Sequence, residues 1–202
     1  MKYLKWFLAI IAVALFAAVV STFFMSENFR VSHSQIINAS PEAIYDQIVT
    51  TKNWKNWSYW NTLDDKMTTT YNDIPSGVGA SYSWKSEKLG NGSLIIERII
   101  VNEYIQSKLI FEGEGNGFSE YIIRKTPQGT QLTTAMNSKT EGIADKLKAR
   151  IFGKFFLNKA FKASAENMDA YLQSHPYTPI APANDSSIKP ILTKTDSIIA
   201  TK

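Results

Sequence analysis

Residues Trp6 to Met25 form twenty consecutive positions without a charge, and this run limits what the chain can fold into more than any other feature. A helix of that length is about 30 Å long, the thickness of a bilayer's hydrocarbon core. No charged face accompanies the run, so it does not read as a helix of a soluble core. Lys2 and Lys5 precede it, while Glu27 and Arg30 nearly cancel after it; this bias places the N-terminus in the cytoplasm and the rest outside. A cleaved signal peptide is the competing reading, but its apolar region is normally about 7–15 residues and ends at small residues. The longer run and its bulky end, Thr22-Phe23-Phe24-Met25, favour an uncleaved single-pass anchor over residues 1–28, held in the cell membrane through residues 6–25.

Beyond the anchor the pattern changes twice. Phe29, Val31 and His33 alternate with Arg30, Ser32 and Ser34 and predict a strand. Ser40 then offers a helix N-cap with Pro41 at the first helical position, followed by Ala43, Ile44 and Ile48. From Met67 to Ser138, strand-like runs are separated by turn residues such as Gly90-Asn91-Gly92 and Thr126-Pro127-Gln128-Gly129. Six strands in succession with short turns indicate an antiparallel meander. From about Asp145 to Gln173 the period becomes helical, through Leu147, Ile151, Phe155, Phe161, Ala165, Met168 and Leu172, with Gly153 as a point of division. After Ser174 the chain is rich in Pro, Ser and Thr and reads as a flexible tail, residues 175–202. The domain between anchor and tail is thus 29–174, of α+β class: a curved antiparallel sheet wrapped around a long C-terminal helix.

Composition narrows the function. There are no cysteines, which excludes disulfides, zinc–thiolate and iron–sulfur sites and cysteine catalysis. A formal charge of +4, part of it in Lys2 and Lys5, leaves no basic footprint for nucleic acid. The two histidines, His33 and His175, share no metal-ligand spacing, and neither a metal site nor a Ser-His-Asp triad is expected. No cofactor is implied. Glu112-Gly113-Glu114-Gly115-Asn116-Gly117 has the glycines of a phosphate loop, but a strand follows it rather than a helix N-terminus, so it reads as a hairpin turn.

Three of the five tryptophans, Trp54, Trp57 and Trp60, fall at spacings of three on one side of a short helical segment. Such a cluster either plugs a core or walls an apolar pocket. Strand parity supplies companions on the inner face: Tyr82 and Trp84, Leu94 and Ile96, Leu109 and Phe111, Tyr121 and Ile123, Leu132, Thr134 and Met136. These are nearly all apolar, the lining expected of a site for an apolar or amphipathic molecule.

The element order and three motifs resemble the SRPBCC superfamily, the helix-grip or START-like fold, in its polyketide cyclase/dehydrase-like branch. The motifs are Ala39-Ser-Pro-Glu-Ala-Ile-Tyr45, Asn53-Trp-Lys-Asn-Trp-Ser-Tyr-Trp-Asn-Thr-Leu-Asp64 and Ser76-Gly-Val-Gly-Ala-Ser-Tyr-Ser-Trp84. Tyr59 and Asp65 depart from the family pattern, where proline is common. The resemblance covers about residues 29 to 173 and implies a cavity between sheet and long helix that holds a lipid or another hydrophobic small molecule. It does not by itself imply a reaction.

The expected lining is Trp57, Trp60, Tyr82, Trp84, Leu109, Phe111, Tyr121, Met136 and, from the last helix, Phe155. Arg98 shares the parity of Leu94 and Ile96 and could anchor a carboxylate or carry its charge to the rim. An enzyme of cyclase or dehydratase type is the alternative, with Asp64, Asp65 or Tyr82 as acid or base. A domain with a filled core and a partner-binding surface is the third reading. Lys146, Lys148, Arg150, Lys154, Lys159 and Lys162 give the last helix a basic face, either solvated or laid on anionic headgroups.

Overall fold

The computed structural model describes residues 2–23, 26–113, 115–140 and 142–177. An apolar helix, α1 (Lys2–Phe23), precedes a seven-stranded sheet: β1 (Asn28–Ile37), β2 (Thr68–Tyr71), β3 (Ser81–Lys85), β4 (Gly92–Ile100), β5 (Tyr104–Phe111), β6 (Gly115–Thr126) and β7 (Gly129–Lys139). The strands run in the order β1-β7-β6-β5-β4-β3-β2 and every neighbouring pair is antiparallel. The meander therefore occupies six of the seven places, and β1 closes its far side against β7. Between β1 and β2 lie α2 (Pro41–Val49) and two 3-10 turns, Thr51–Asn56 and Tyr59–Thr62. After β7 come α3 (Ile143–Lys148), a wide π turn at Ala149–Gly153, and α4 (Lys154–Ser174). This is a helix-grip architecture, a curved sheet holding a long C-terminal helix.

Local chemistry sets these boundaries. Ser40 caps α2, its hydroxyl accepting from the Ala43 amide at 3.3 Å, and Pro41 occupies the first turn. α4 is tied to the tryptophan segment at two points: the Tyr59 amide donates to Ser164 at 2.9 Å, and the Asn167 side chain donates to the Trp57 carbonyl at 3.3 Å. At its far end Asp169 accepts from the Asn38 amide at 2.8 Å. Gly153 marks the division of the last helix; a Cβ there would stand 3.4 Å from the Phe29 ring, so strand and helix meet closely at that glycine.

Two sequence expectations change here. The π turn inserts an extra residue into the last helix and shifts the phase of its apolar stripe. Leu157, Ala160, Phe161, Ala165, Met168 and Leu172 face inward, and Phe155 points to solvent with 76% of its surface exposed. In β4 the register with β5 slips between Ile96 and Arg98. The bulge absorbs Glu97, so inward parity passes to Ile99, and Arg98, paired with Gln106, lies exposed on the outer face of the sheet. Residues 178–202 of the expected tail lie outside the described residues. Tyr177, at the tail's start, packs against the core.

The interior holds two separate hydrophobic clusters. The larger joins α2, the sheet and the C-terminal half of α4 through Ile37, Ile44, Ile48, Trp54, Trp57, Leu94, Ile105, Leu132 and Met168. The smaller joins β1 to the N-terminal half of α4 through Phe29, Val31, Leu157 and Phe161, with Trp60 and Met136 against it.

Candidate functional site

The gap between the two clusters is a cavity of about 490 Å³. Its floor is a set of cross-strand neighbours on the concave face: Tyr82 opposite Leu94, Leu94 opposite Leu109, and Ser119 opposite Met136. Trp84 and Phe111 continue the floor to one side, their rings 5.7 Å apart edge to face. Gly92 between them is required by that packing, since a Cβ there would collide with the Trp84 ring and the Ile110 carbonyl. Phe156 and Phe161 of α4 form the opposite wall, and Trp60, Asn61, Lys88 and Leu89 complete the lining. Lys88 and Phe156 are the exposed members and border the opening.

The tryptophans divide between roles because their segment is not one helix. In the first 3-10 turn, residues three apart eclipse, and Trp54 and Trp57 stand with ring centroids 5.0 Å apart. Both indole N–H groups are satisfied inside the protein, Trp54 donating to the Ile48 carbonyl at 2.8 Å and Trp57 to the Gln47 carbonyl at 3.1 Å. The chain breaks its turn at Trp57, with φ −136°, and the second turn sends Trp60 to the other cluster. There it meets Phe156 edge to face at 5.4 Å.

Of the expected lining, Trp60, Tyr82, Trp84, Leu109, Phe111, Tyr121 and Met136 surround the cavity. Trp57 is buried behind Trp54, which takes the lining position instead. Arg98 and Phe155 face outward and do not reach the space, for the bulge and the π turn respectively. Besides Trp54 and Leu94, the expected lining left out Asn61, Met67, Lys88, Leu89, Ser119, Phe156 and Phe161. Phe156 was hidden by the phase shift, whereas Ser119 shares the inward parity of Tyr121 and could have been read from it.

The electrostatics of the site are those of an apolar chamber. Burial pushes the Tyr82 and Tyr121 hydroxyls far above the usual phenol range, so both stay protonated. Asp64 lies in the loop just after the second turn, with little of its surface exposed. The hydrogen bond from Ser86 at 2.6 Å, aided by the Lys66 amide and Lys88, holds its carboxyl below the usual range. Asp64 thus anchors the β3–β4 connection that carries Lys88 and Leu89, and it is a poor base. Asp65 is exposed. Among the described residues no group of histidine or carboxylate side chains could hold a metal ion.

On the outer face, Glu120 accepts from Arg30 at 2.6 Å, Asn137 at 2.9 Å and Tyr104 at 3.0 Å. Burial alone would raise this carboxyl; the three donors outweigh it and hold it low. The network ties β1, β5, β6 and β7 together on the side of the sheet away from the cavity.

No family model matches this chain, and no curated protein sequence matches it significantly. Solved structures do. A protein of unknown function from Staphylococcus aureus, SA2116, is 15% identical with a TM-score of 0.58, over 73% of this chain and 95% of its own. The KanY protein is 12% identical with a TM-score of 0.53, over 74% of this chain and 99% of its own. DynU16, from the dynemicin biosynthetic locus, is 13% identical with a TM-score of 0.50, over 74% of this chain and 48% of its own. At these identities the likeness is one of fold. The chain has the helix-grip fold.

Proposed function

We propose that this chain is a membrane-anchored binding module of the SRPBCC type, holding a lipid or another hydrophobic small molecule between its sheet and α4. The observation that carries the reading is the cavity itself. Trp60, Tyr82, Trp84, Leu94, Phe111 and Phe161 are large enough to fill such a space, yet they stand around about 490 Å³ of it. An apolar void of this size, bordered by a few polar groups, is the usual form of a small-molecule site.

The anchor supports the same reading. Residues 3–21 are long and apolar enough to cross a bilayer, and none of that span is buried against the domain. Just after it, the Ser26 carbonyl accepts from Arg150 in the π turn at 3.2 Å, six residues before Phe156 at the cavity opening. An anchor held there keeps the opening near the lipid from which a hydrophobic ligand would come. In the proposed topology the N-terminus is cytoplasmic and the domain extracytoplasmic.

Catalysis of the cyclase or dehydratase type is the second reading, and it rests on the resemblance of the sequence motifs to the polyketide cyclase/dehydrase-like branch. It has less support, because Tyr82 and Tyr121 are held protonated without a charged partner and Asp64 is engaged by Ser86.

Thermal melting of the full-length chain with a panel of apolar compounds tests the binding reading. A ligand at a hundred times its Kd stabilises by about 2.7 kcal/mol. A clear upward shift in Tm is expected for some members, and a flat response across the panel would contradict the reading. Protease treatment of sealed, right-side-out cells tests the topology: cleavage of the domain is expected, and full protection would overturn the orientation.

A further inference from the structure

Among the described residues, two interior hydroxyls make no hydrogen bond of good geometry. Ser119, 6% exposed, lines the cavity, and Ser107, with no exposed surface, is its direct neighbour on β5. Ser119 stands close enough to the Tyr121 hydroxyl to counter part of the burial effect on that phenol, but forms no bond of good geometry with it. Buried polar side chains nearly always find partners, and an unsatisfied one costs about 1–3 kcal/mol. Another side-chain atom without a partner among the described residues, Gln47 Oε1, does not line this cavity. The serine pair therefore stands apart. It puts unused donors and acceptors on the concave face, where the flanking positions Val31, Ile96, Ile105 and Met136 are apolar.

We propose that Ser119, backed by Ser107, is the polar pole of the cavity and receives the neutral hydrogen-bonding group, hydroxyl or carbonyl, of an otherwise apolar ligand. This rests on the binding reading above and adds the class of molecule and its orientation. The head enters first and lies against the sheet; the apolar body extends toward Trp60 and Phe156 at the opening. A carboxylate head does not fit this pole. Among the described residues no Lys or Arg lies beside it on the inner face, and an ionised group without a compensating charge is strongly disfavoured away from water. Lys88, the cationic member of the lining, is at the opening.

The test compares decane, decanol and decanoate, bound to the full-length chain and to the Ser119→Ala and Ser107→Ala variants, with affinities read by native mass spectrometry titration. In the wild type, decanol is expected to bind and decanoate to bind at least tenfold more weakly. Ser119→Ala should loosen decanol and tighten decane, changing the ratio of their affinities about tenfold, the range expected when an unpaired buried hydroxyl is removed. Ser107→Ala should shift the ratio in the same direction. Neither variant should melt below the wild type, because each hydroxyl lacks a partner in the empty protein. A ratio unchanged by both variants overturns the polar pole while leaving an apolar cavity intact. Decanoate binding as tightly as decanol overturns it in favour of a head group at Lys88. Failure of all three probes to bind the wild type removes the cavity reading and the inference with it.

Discussion

At the C-terminal half of α4, Ile37, Ile44, Ile48 and Met168 meet with no exposed surface, while at its N-terminal half Trp60, Met136 and Phe156 each keep part of their surface uncovered around a cavity. The same helix and the same sheet make both regions. They differ in what lies between. α2 drops three aliphatic positions, Ala43, Ile44 and Ile48, into the first gap, and Trp54 and Trp57 seal its edge with their N–H groups bonded to α2 carbonyls. Among the described residues no helix like α2 fills the second gap. There the sheet is closed over by α4 directly, and Trp60, turned out of the first cluster by the break at Trp57, leans on Phe156. One end of the sandwich is built for stability and the other leaves room.

That contrast can be broken by substitution, and the expected effects fall in order. The largest belongs to Met168→Ala or Ile48→Ala in the closed end. Such truncations of fully buried side chains typically cost about 2–5 kcal/mol, to be read as a lowered denaturant midpoint, with ligand binding lost only through unfolding. Gly92→Val comes next. Its side chain collides with the Trp84 ring, and overpacking of this kind costs about 1–3 kcal/mol; since Trp84 can be driven only into or out of the cavity, ligand-induced stabilisation should disappear as well. Trp60→Ala should separate the two properties. Its edge-to-face pair with Phe156 contributes about 0.5–1.5 kcal/mol, so melting should fall modestly while binding weakens at least tenfold. A large loss of stability with binding retained would return Trp60 to the core.

Acid should act on the cavity border. The Asp64 carboxyl is held below its ordinary value by Ser86, so its contribution to stability is present above about pH 4, the unfolded carboxylate value, and is lost as pH falls through the lower folded value. Asp64→Asn should flatten this limb of the stability curve, which acid titration of Tm would show. A limb unchanged in the variant would mean that other carboxylates, Glu120 among them, dominate it. The smallest effect is expected for Phe155→Ala, an exposed position where changes usually fall within about 0.5 kcal/mol and where binding should be untouched.

Much of this arrangement is legible in the chain because it follows from periodicity. The Ser40-Pro41 helix start, the six-strand meander and the inward parity of Tyr82, Trp84, Leu109, Phe111 and Tyr121 are all local consequences of alternation and turn chemistry. What periodicity misses is a single inserted residue. The bulge at Glu97 turned Arg98 to the outer face of the sheet, and the π turn at Ala149–Gly153 turned Phe155 out and brought Phe156 to the cavity. Each insertion reverses or shifts every assignment beyond it until the pattern is reset. Whether Trp54, Trp57 and Trp60 plug or line depended on a backbone break at Trp57 that no side-chain spacing records. Ser119 shows the opposite case: its parity was readable, but a serine among aromatics draws attention only when its lack of a partner is seen.

The most direct test of the central claim, that the open end holds one hydrophobic molecule, is native mass spectrometry of the chain purified in detergent and released from it. The comparison is with Met136→Trp, which places an indole in the cavity from a residue that packs against the smaller cluster and not the closed end. The account expects wild-type chains carrying one small-molecule adduct each, and the variant carrying none at an unchanged melting temperature or a higher one. Identical adduct patterns in the two proteins would contradict it.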